Sequence, residues 1–348
     1  MPRNILITGG SGYLGGSLLA ELKKTNLPAH GTTYALVRSD EQAEKVKAQY
    51  NATPITLDLE DQSAITATLL EKQISVVFYM INAANGDSQE RFFEGLEKVK
   101  QQLGIETHFL HTSGAKIFSG FAQHPTDRVL SDMDDGLYEI QKRVAPQIPL
   151  FKQAVGANNK IIAAGEKYGV KTYIFMPCIV YGKGTGFGNR ISIQTVAIVK
   201  AAKAMRRVCK VDSLEATWPV CHIHDTTALY LALLSKILEE EKLQNGRRGY
   251  YLASPGSIAW TDLYKQMATA LDKRGIIDDD TVQEVSDDSP EEAGKALGCP
   301  KEFVPVQMGG ACALQADRGK TIGWAPEYPA QHILDDADNE VDLILNNI

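Results

Sequence analysis

Residues 4–19 read NILITGGSGYLGGSLL, and this stretch decides the fold. Asn4-Ile5-Leu6-Ile7-Thr8 is an apolar run of strand length, Gly9, Gly12 and Gly15 follow at regular spacing, and Leu14, Leu18, Leu19 and Leu22 recur at helical spacing. Strand, glycine turn and helix, in that order, make a diphosphate site. The helix N-terminus offers unpaired N–H groups and the positive end of its dipole, and a Cβ at Gly9 or Gly12 would hold the ligand off. Outward from it, residues 33–37 (TYALV), 54–57 (PITL), 74–81 (ISVVFYMI), 107–111 (THFLH), 171–177 (KTYIFMP) and 250–253 (YYLA) read as further strands. Helices are expected between them: one from the capping box Ser39 with Gln42, then 88–103 and 151–168, and later 191–205, 226–238, 260–271 and 290–297. Strands alternating with helices predict an α/β chain with a doubly wound parallel sheet.

TGGSGYLG resembles the TGxxGxxG fingerprint of the extended short-chain dehydrogenase/reductases, the group that includes nucleotide-sugar epimerases and dihydroflavonol-type reductases. Further stretches carry the likeness. Asn82-Ala83-Ala84 resembles the NAA motif, residues 176–182 (MPCIVYG) resemble RPxxVYG with Met176 in place of Arg, residues 218–225 (WPVCHIHD) look like the VHVDD turn, and Gly323-Trp324-Ala325-Pro326 resembles GWxP. The resemblance implies a Rossmann-type domain over residues 1–180 with 219–254, and a smaller, discontinuous substrate-binding lobe over 181–218 with 255–348. It also implies that Gly9, Ser11, Gly12, Tyr13 and Leu14 surround the cofactor diphosphate, that Asp58-Leu59 holds the adenine, and that Ala83 and Ala84 let the cofactor backbone pass, with Asn82 structural. Ser39, Thr112, Pro177, Ile179 and Val180 complete the expected cofactor contacts, the last three near the nicotinamide carboxamide. The second strand ends on Arg38, where NAD users place an acidic residue on the ribose 2′-hydroxyl; a guanidinium there suits a 2′-phosphate, so NADP is expected.

Family members that move hydride supply a hydroxyl at the end of the fifth strand and a Tyr with a Lys at i+4, whose charge brings the phenol within reach of neutral pH. Ser113, Tyr138 and Lys142 fit that pattern. A second alignment, counted back from Tyr168-Gly169-Val170, puts the family's catalytic Tyr and Lys at Leu150 and Ala154 and its hydroxyl at Gly114, while Pro146 and Pro149 set Tyr138 on a separate short turn. On that alignment Lys116, Lys152 or Tyr181 has to donate the proton, or no hydride moves. The expected activity is NADP(H)-dependent oxidoreduction of a carbonyl or alcohol on a small organic molecule. The alternatives are a non-redox isomerase or cyclase and an NmrA-like redox sensor.

The chain has 348 residues and a net charge of −7, an acidic balance that disfavours nucleic acid and anionic membranes as partners. Its five cysteines contain no CxxC pair and are read as reduced. No metal is expected, since His108 and His111 point to opposite faces of a strand, and Cys221, His222 and His224 lack a convincing further ligand. The first strand begins too early to leave room for a leader, and apolar runs are short, so a cytoplasmic monomer or homodimer acting on a small molecule is expected. Residues 182–188 (GKGTGFG) read as a mobile lid or substrate loop, Asp225 as the cap of the helix it precedes, Arg206 and Arg207 as a helix C-terminus, and Asp278 to Asp288 as an exposed acidic segment.

Overall fold

The computed structural model describes residues 2–211, 216–284 and 289–348. Apolar runs become strands where both faces are covered. β1 (Asn4–Ile7), β2 (Thr33–Leu36), β3 (Thr53–Ile55), β4 (Ile74–Tyr79) and β5 (His108–Thr112) join Lys171–Pro177 and Tyr250–Ala253 in one seven-stranded sheet. Its order is Tyr250–Ala253, Lys171–Pro177, β5, β4, β1, β2, β3, and every pairing is parallel. Ile74, Val76, Val77 and Phe78 of β4 are fully buried, each contributing about 1.5–3 kcal/mol of hydrophobic stabilisation.

The connecting helices are α1 (Tyr13–Leu22), α2 (Asp40–Tyr50), α3 (Gln62–Glu71), α4 (Gly86–Leu103), α5 (Leu137–Arg143), α6 (Pro149–Tyr168), α7 (Gln194–Met205) and α8 (Ile223–Leu238). Ser39 caps α2 as its spacing predicts, accepting the Gln42 N–H at 3.3 Å, while Gln42 Oε1 accepts the Arg38 N–H at 3.0 Å. Helix α4 starts earlier than the periodicity suggests because Asn85 accepts the Asp87 N–H and so caps it. Helix α7 starts later than expected, at Gln194.

Smaller sheets form the rest. Ile179–Tyr181 pairs with Thr217–His222, which pairs with Gly256–Ala259; Leu130–Ser131 pairs with Leu314–Gln315, and Val208–Cys209 with Val282–Gln283. Asp225 does not cap α8. His222 does, and the Asp225 carboxylate instead accepts the Glu327 and Tyr328 N–H groups at 2.8 and 2.9 Å, while its carbonyl accepts Trp324 Nε1–H at 2.9 Å. The GWAP turn is thus anchored to the start of α8. Of the acidic segment Asp278 to Asp288, residues 285–288 lie outside the described residues; the rest is mostly exposed.

Four histidines, three buried and one half-buried, set the acid limit of this core. Burial, with the Arg3, Lys171 and Lys100 charges, holds His108 down to about 3; burial, opposed by the Ala83 backbone, holds His111 to about 3. His124 and the half-buried His222 are held near 4, chiefly by loss of solvent. Because the folded values lie below the unfolded value of about 6.5, the unfolded chain takes up protons first, and stability present above pH ~6.5 is lost as pH falls toward 4. Burial raises the carboxyls of Asp132 and Glu340, which act in the opposite sense at the bottom of that range. Urea unfolding followed against pH is expected to lose up to about 1.4 kcal/mol per pH unit for each such histidine, and His108→Gln is expected to show a shallower slope than the parent.

Candidate functional site

The carboxyl ends of β1, β2, β4 and β5 lie on one side of the parallel sheet, and the glycine loop after β1 forms a floor there. Gly9 adopts φ +73°, which L side chains rarely take, and accepts the Gly12 N–H at 2.8 Å. Gly12 precedes α1 without a side-chain cap, leaving the N–H groups of the first turn available to an anion. A Cβ on Gly15 would run into the Gly9 carbonyl, so only glycine lets α1 approach β1 this closely. These features fit a dinucleotide diphosphate at the start of α1.

The other expected contacts surround that floor unevenly. Arg38, just past the end of β2, is exposed, and among the described residues its guanidinium has no hydrogen bond or ion pair. Gln42 ties this loop to the floor through Ser11 Oγ at 3.3 Å, a link the sequence reading missed. Asp58 is exposed and accepts the Glu60 N–H at 2.9 Å, whereas Asp61 caps α3; the Leu59 carbonyl accepts from Arg91 at 2.9 Å. Ala83 and Ala84 are half-buried, and Asn82 Oδ1 accepts the Ala84 N–H at 2.9 Å, a local turn. Pro177 is half-buried, and Ile179 and Val180 are buried. The Thr112 hydroxyl shares a hydrogen bond with Tyr230 OH at 2.8 Å on α8. Ser113 Oγ is buried without a hydrogen-bond partner.

The expected catalytic residues lie on two separate elements. Tyr138 and Lys142 lie on α5, with Lys142 Nζ 5.9 Å and Arg247 5.2 Å from the Tyr138 ring. Arg247 immediately precedes Tyr250–Ala253, at the amino-terminal end of the sheet, and pairs with Glu166 in the last turn of α6. Ser113 follows β5, and Phe118 of the next turn packs on Tyr250 at 5.7 Å. Gln141 donates to Asn159 at 2.7 Å and accepts from Asn158 at 3.0 Å, clamping α5 to the middle of α6. Helix α6 starts at Pro149 and carries Leu150, exposed, and Ala154, buried, in its first turns.

One titratable group does stand near the end of β5. Lys116 sits in the short turn Ala115–Phe118 directly after Gly114, is half-buried, and donates to the Val306 carbonyl at 2.5 Å. Burial holds its amine down to about 8. The other named donors fare worse: Lys152 is exposed, and the buried Tyr181 is bound to His332 Nδ1 at 3.0 Å with its phenol pushed well up by burial. Among the described residues no group of three His, Cys, Asp or Glu is placed to hold a metal, and no helix is long and apolar enough to cross a membrane. The five cysteines stand free.

Residues 182–188, expected as a lid, form a strap pressed onto α1. Ser17 Oγ accepts the Thr185 N–H at 3.2 Å, Tyr50 OH accepts the Phe187 N–H at 2.9 Å, and the Ser11 carbonyl accepts the Asn189 N–H at 3.0 Å. Tyr50 and Phe187 stack at 5.4 Å. A Cβ on Gly186 would lie 2.8 Å from the Gly16 Cα, and one on Gly188 would overlap the Ser11 carbonyl. The glycines here buy close approach, not looseness. Gly186→Val is expected to cost about 1–3 kcal/mol of stability by overpacking, read as a lowered denaturant midpoint.

The NAD dependent epimerase/dehydratase family matches residues 5–245. None of the curated protein sequences matches. Among solved structures, a UDP-glucose 4-epimerase of Thermotoga maritima with UDP-glucose is similar at TM-score 0.64 and 14% identity, over 99% of both chains. A UDP-glucuronic acid 4-epimerase mutant of Bacillus cereus, with NAD and a fluorinated sugar nucleotide, gives TM-score 0.65 and 13% identity over 99% of this chain and 100% of that one. A monomeric L-threonine 3-dehydrogenase from a metagenome gives 0.60 and 14% over 98% and 99%. At these identities the likeness is one of fold.

Proposed function

This chain belongs to the NAD dependent epimerase/dehydratase family of extended short-chain dehydrogenase/reductases, and from that premise we propose that it is an NADP(H)-dependent oxidoreductase acting on a carbonyl or alcohol of a small organic molecule, with Lys116 as its proton donor. When bound, the nicotinamide supplies or accepts the hydride. Gly9 and Gly12 admit the diphosphate to the N–H groups of α1, and the unpaired Arg38 guanidinium meets the 2′-phosphate.

Lys116 is the observation that carries the chemistry. A general acid works best with a pKa near the operating pH, and burial brings this amine down to about 8. It follows Gly114 at the end of β5, where its ammonium can exchange the Val306 carbonyl for a substrate oxygen and pass it a proton as negative charge develops. Ser113 is near in sequence but lacks a titratable proton at this pH. A second reading, a nucleotide-binding protein without hydride transfer, draws support from Gly114, Leu150 and Ala154, none of which can move a proton.

Fluorescence titration is expected to show NADPH binding at least about tenfold tighter than NADH, with Arg38→Ala reducing that preference to about threefold or less. Equal binding in the parent would remove the NADP assignment. In a carbonyl panel followed by NADPH absorbance, Lys116→Met is expected to lower turnover by about 10²–10⁴-fold with NADPH affinity retained, while Tyr138→Phe stays within about twofold. Reduction by the parent should fall as pH rises through about 8, because the active amine is the protonated one, and Lys116→Met should lose that limb. NADPH binding without turnover of any carbonyl would favour the second reading.

A further inference from the structure

The last helix of the chain, Ala337–Leu345, carries a carboxylate with an unusual set of partners. Glu340 is 1% exposed. Its Oε2 accepts the Gly182 N–H at 2.9 Å and its Oε1 accepts the Thr195 hydroxyl at 2.7 Å, so both oxygens of a buried charge are used. The same residue continues the chain of contacts through its next peptide unit: the Gly182 carbonyl accepts the Tyr13 hydroxyl at 2.6 Å. Gly182 adopts φ +89°, and a Cβ there would overlap the His222 ring, so this residue is held from both sides. Tyr13 is the first residue of α1. Its backbone N–H belongs to the turn that faces the diphosphate.

We infer that Glu340 is a positioning residue for the nucleotide cradle: through Gly182 and the Tyr13 hydroxyl it sets the first turn of α1 where its N–H groups receive the diphosphate. The inference rests on the nucleotide-binding reading above and adds to it a residue far from the glycine motif in sequence. A hydrogen bond to a charged acceptor is stronger than one to a neutral acceptor, so Glu340 holds the Gly182 backbone in place and with it the carbonyl that receives the Tyr13 hydroxyl. Thr195, at the start of α7, fixes the other carboxylate oxygen and so prevents Glu340 from turning away.

The test is the NADPH dissociation constant of the full chain, with near-ultraviolet circular dichroism and thermal melting as checks of folding. Glu340→Ala is expected to weaken NADPH binding by about tenfold or more. Glu340→Gln can still accept the Gly182 N–H while donating to the Thr195 hydroxyl, and is expected to recover affinity to within about threefold of the parent. Tyr13→Phe leaves Glu340 untouched but cuts the link, and is expected to weaken binding in the same direction. A folded Glu340→Ala protein with parental affinity, or a glutamine variant no better than alanine, overturns the inference. If the alanine variant does not fold, Tyr13→Phe decides, and parental affinity there overturns it. A parent chain that binds neither NADPH nor NADH overturns the nucleotide reading and this link with it, whereas a binding parent with indifferent variants overturns the link alone.

Discussion

The constraint on which the structure depends is backbone meeting backbone with no side chain between. Gly15 lets α1 approach the Gly9 carbonyl, and on the next residue Gly16 meets Gly186 of the strap, where an added Cβ on the strap would lie 2.8 Å from the Gly16 Cα. Strand, loop, helix and strap are thus stacked at distances that only glycine permits. The consequence is mechanical as well as steric. Interiors packed this densely do not deform continuously, so the first turn of α1 is held by what lies on both of its sides. The phosphate-binding geometry belongs to the first residues of the chain and to residues 182–189 together.

The carboxyl ends of the strands carry the glycine loop, the exposed Arg38 and the turn with Lys116. Along the edge of the sheet, residues 118–149 form a structural brace. Leu130–Ser131 adds a strand beside Leu314–Gln315, and the fully buried Asp132 accepts the Asp317, Arg318 and Leu252 N–H groups at 2.8, 2.9 and 3.1 Å. Arg318 returns two bonds to the Asp132 carbonyl at 3.0 and 2.8 Å. A buried carboxylate satisfied in this way fixes the path of the segment that leads into α5.

Features set by local rules are legible in the amino-acid sequence itself. The glycine loop, the Ser39 cap, the parallel sheet and the fully buried β4 all follow from spacing, capping chemistry and apolar runs within a few residues of each other. The features that local rules leave undecided share a different origin. Tyr138 and Lys142 have the i, i+4 spacing of a proton relay, and they do share a helix face; where that helix docks is set by Gln141, Asn158 and Arg247, side chains whose partners lie outside the motif. The glycines of residues 182–188 carry two opposite meanings, freedom and close contact, and only the neighbour at Gly16 chooses between them. Asp225 has the position of a cap because it lies where a helix opens, but the N–H groups that claim it come from residues 327 and 328.

Lys116 shows why the chemistry is the hardest part to read. Its identity is visible in the sequence, yet an exposed lysine there would titrate near 10.4 and be a poor partner for proton transfer at neutral pH. What changes it is burial under the segment Val304–Met308, whose Val306 carbonyl takes its hydrogen bond. A phenol and an amine one helical turn apart can be seen in a sequence; a lone amine under a distant backbone carbonyl cannot. The tyrosine of the family pattern needs a cation to bring its pKa down, whereas a lysine needs only the loss of water, and that is the chemical ground for proposing Lys116 as the proton donor. Leu150 on the surface and Ala154 in the core leave those two positions of α6 with no proton to move.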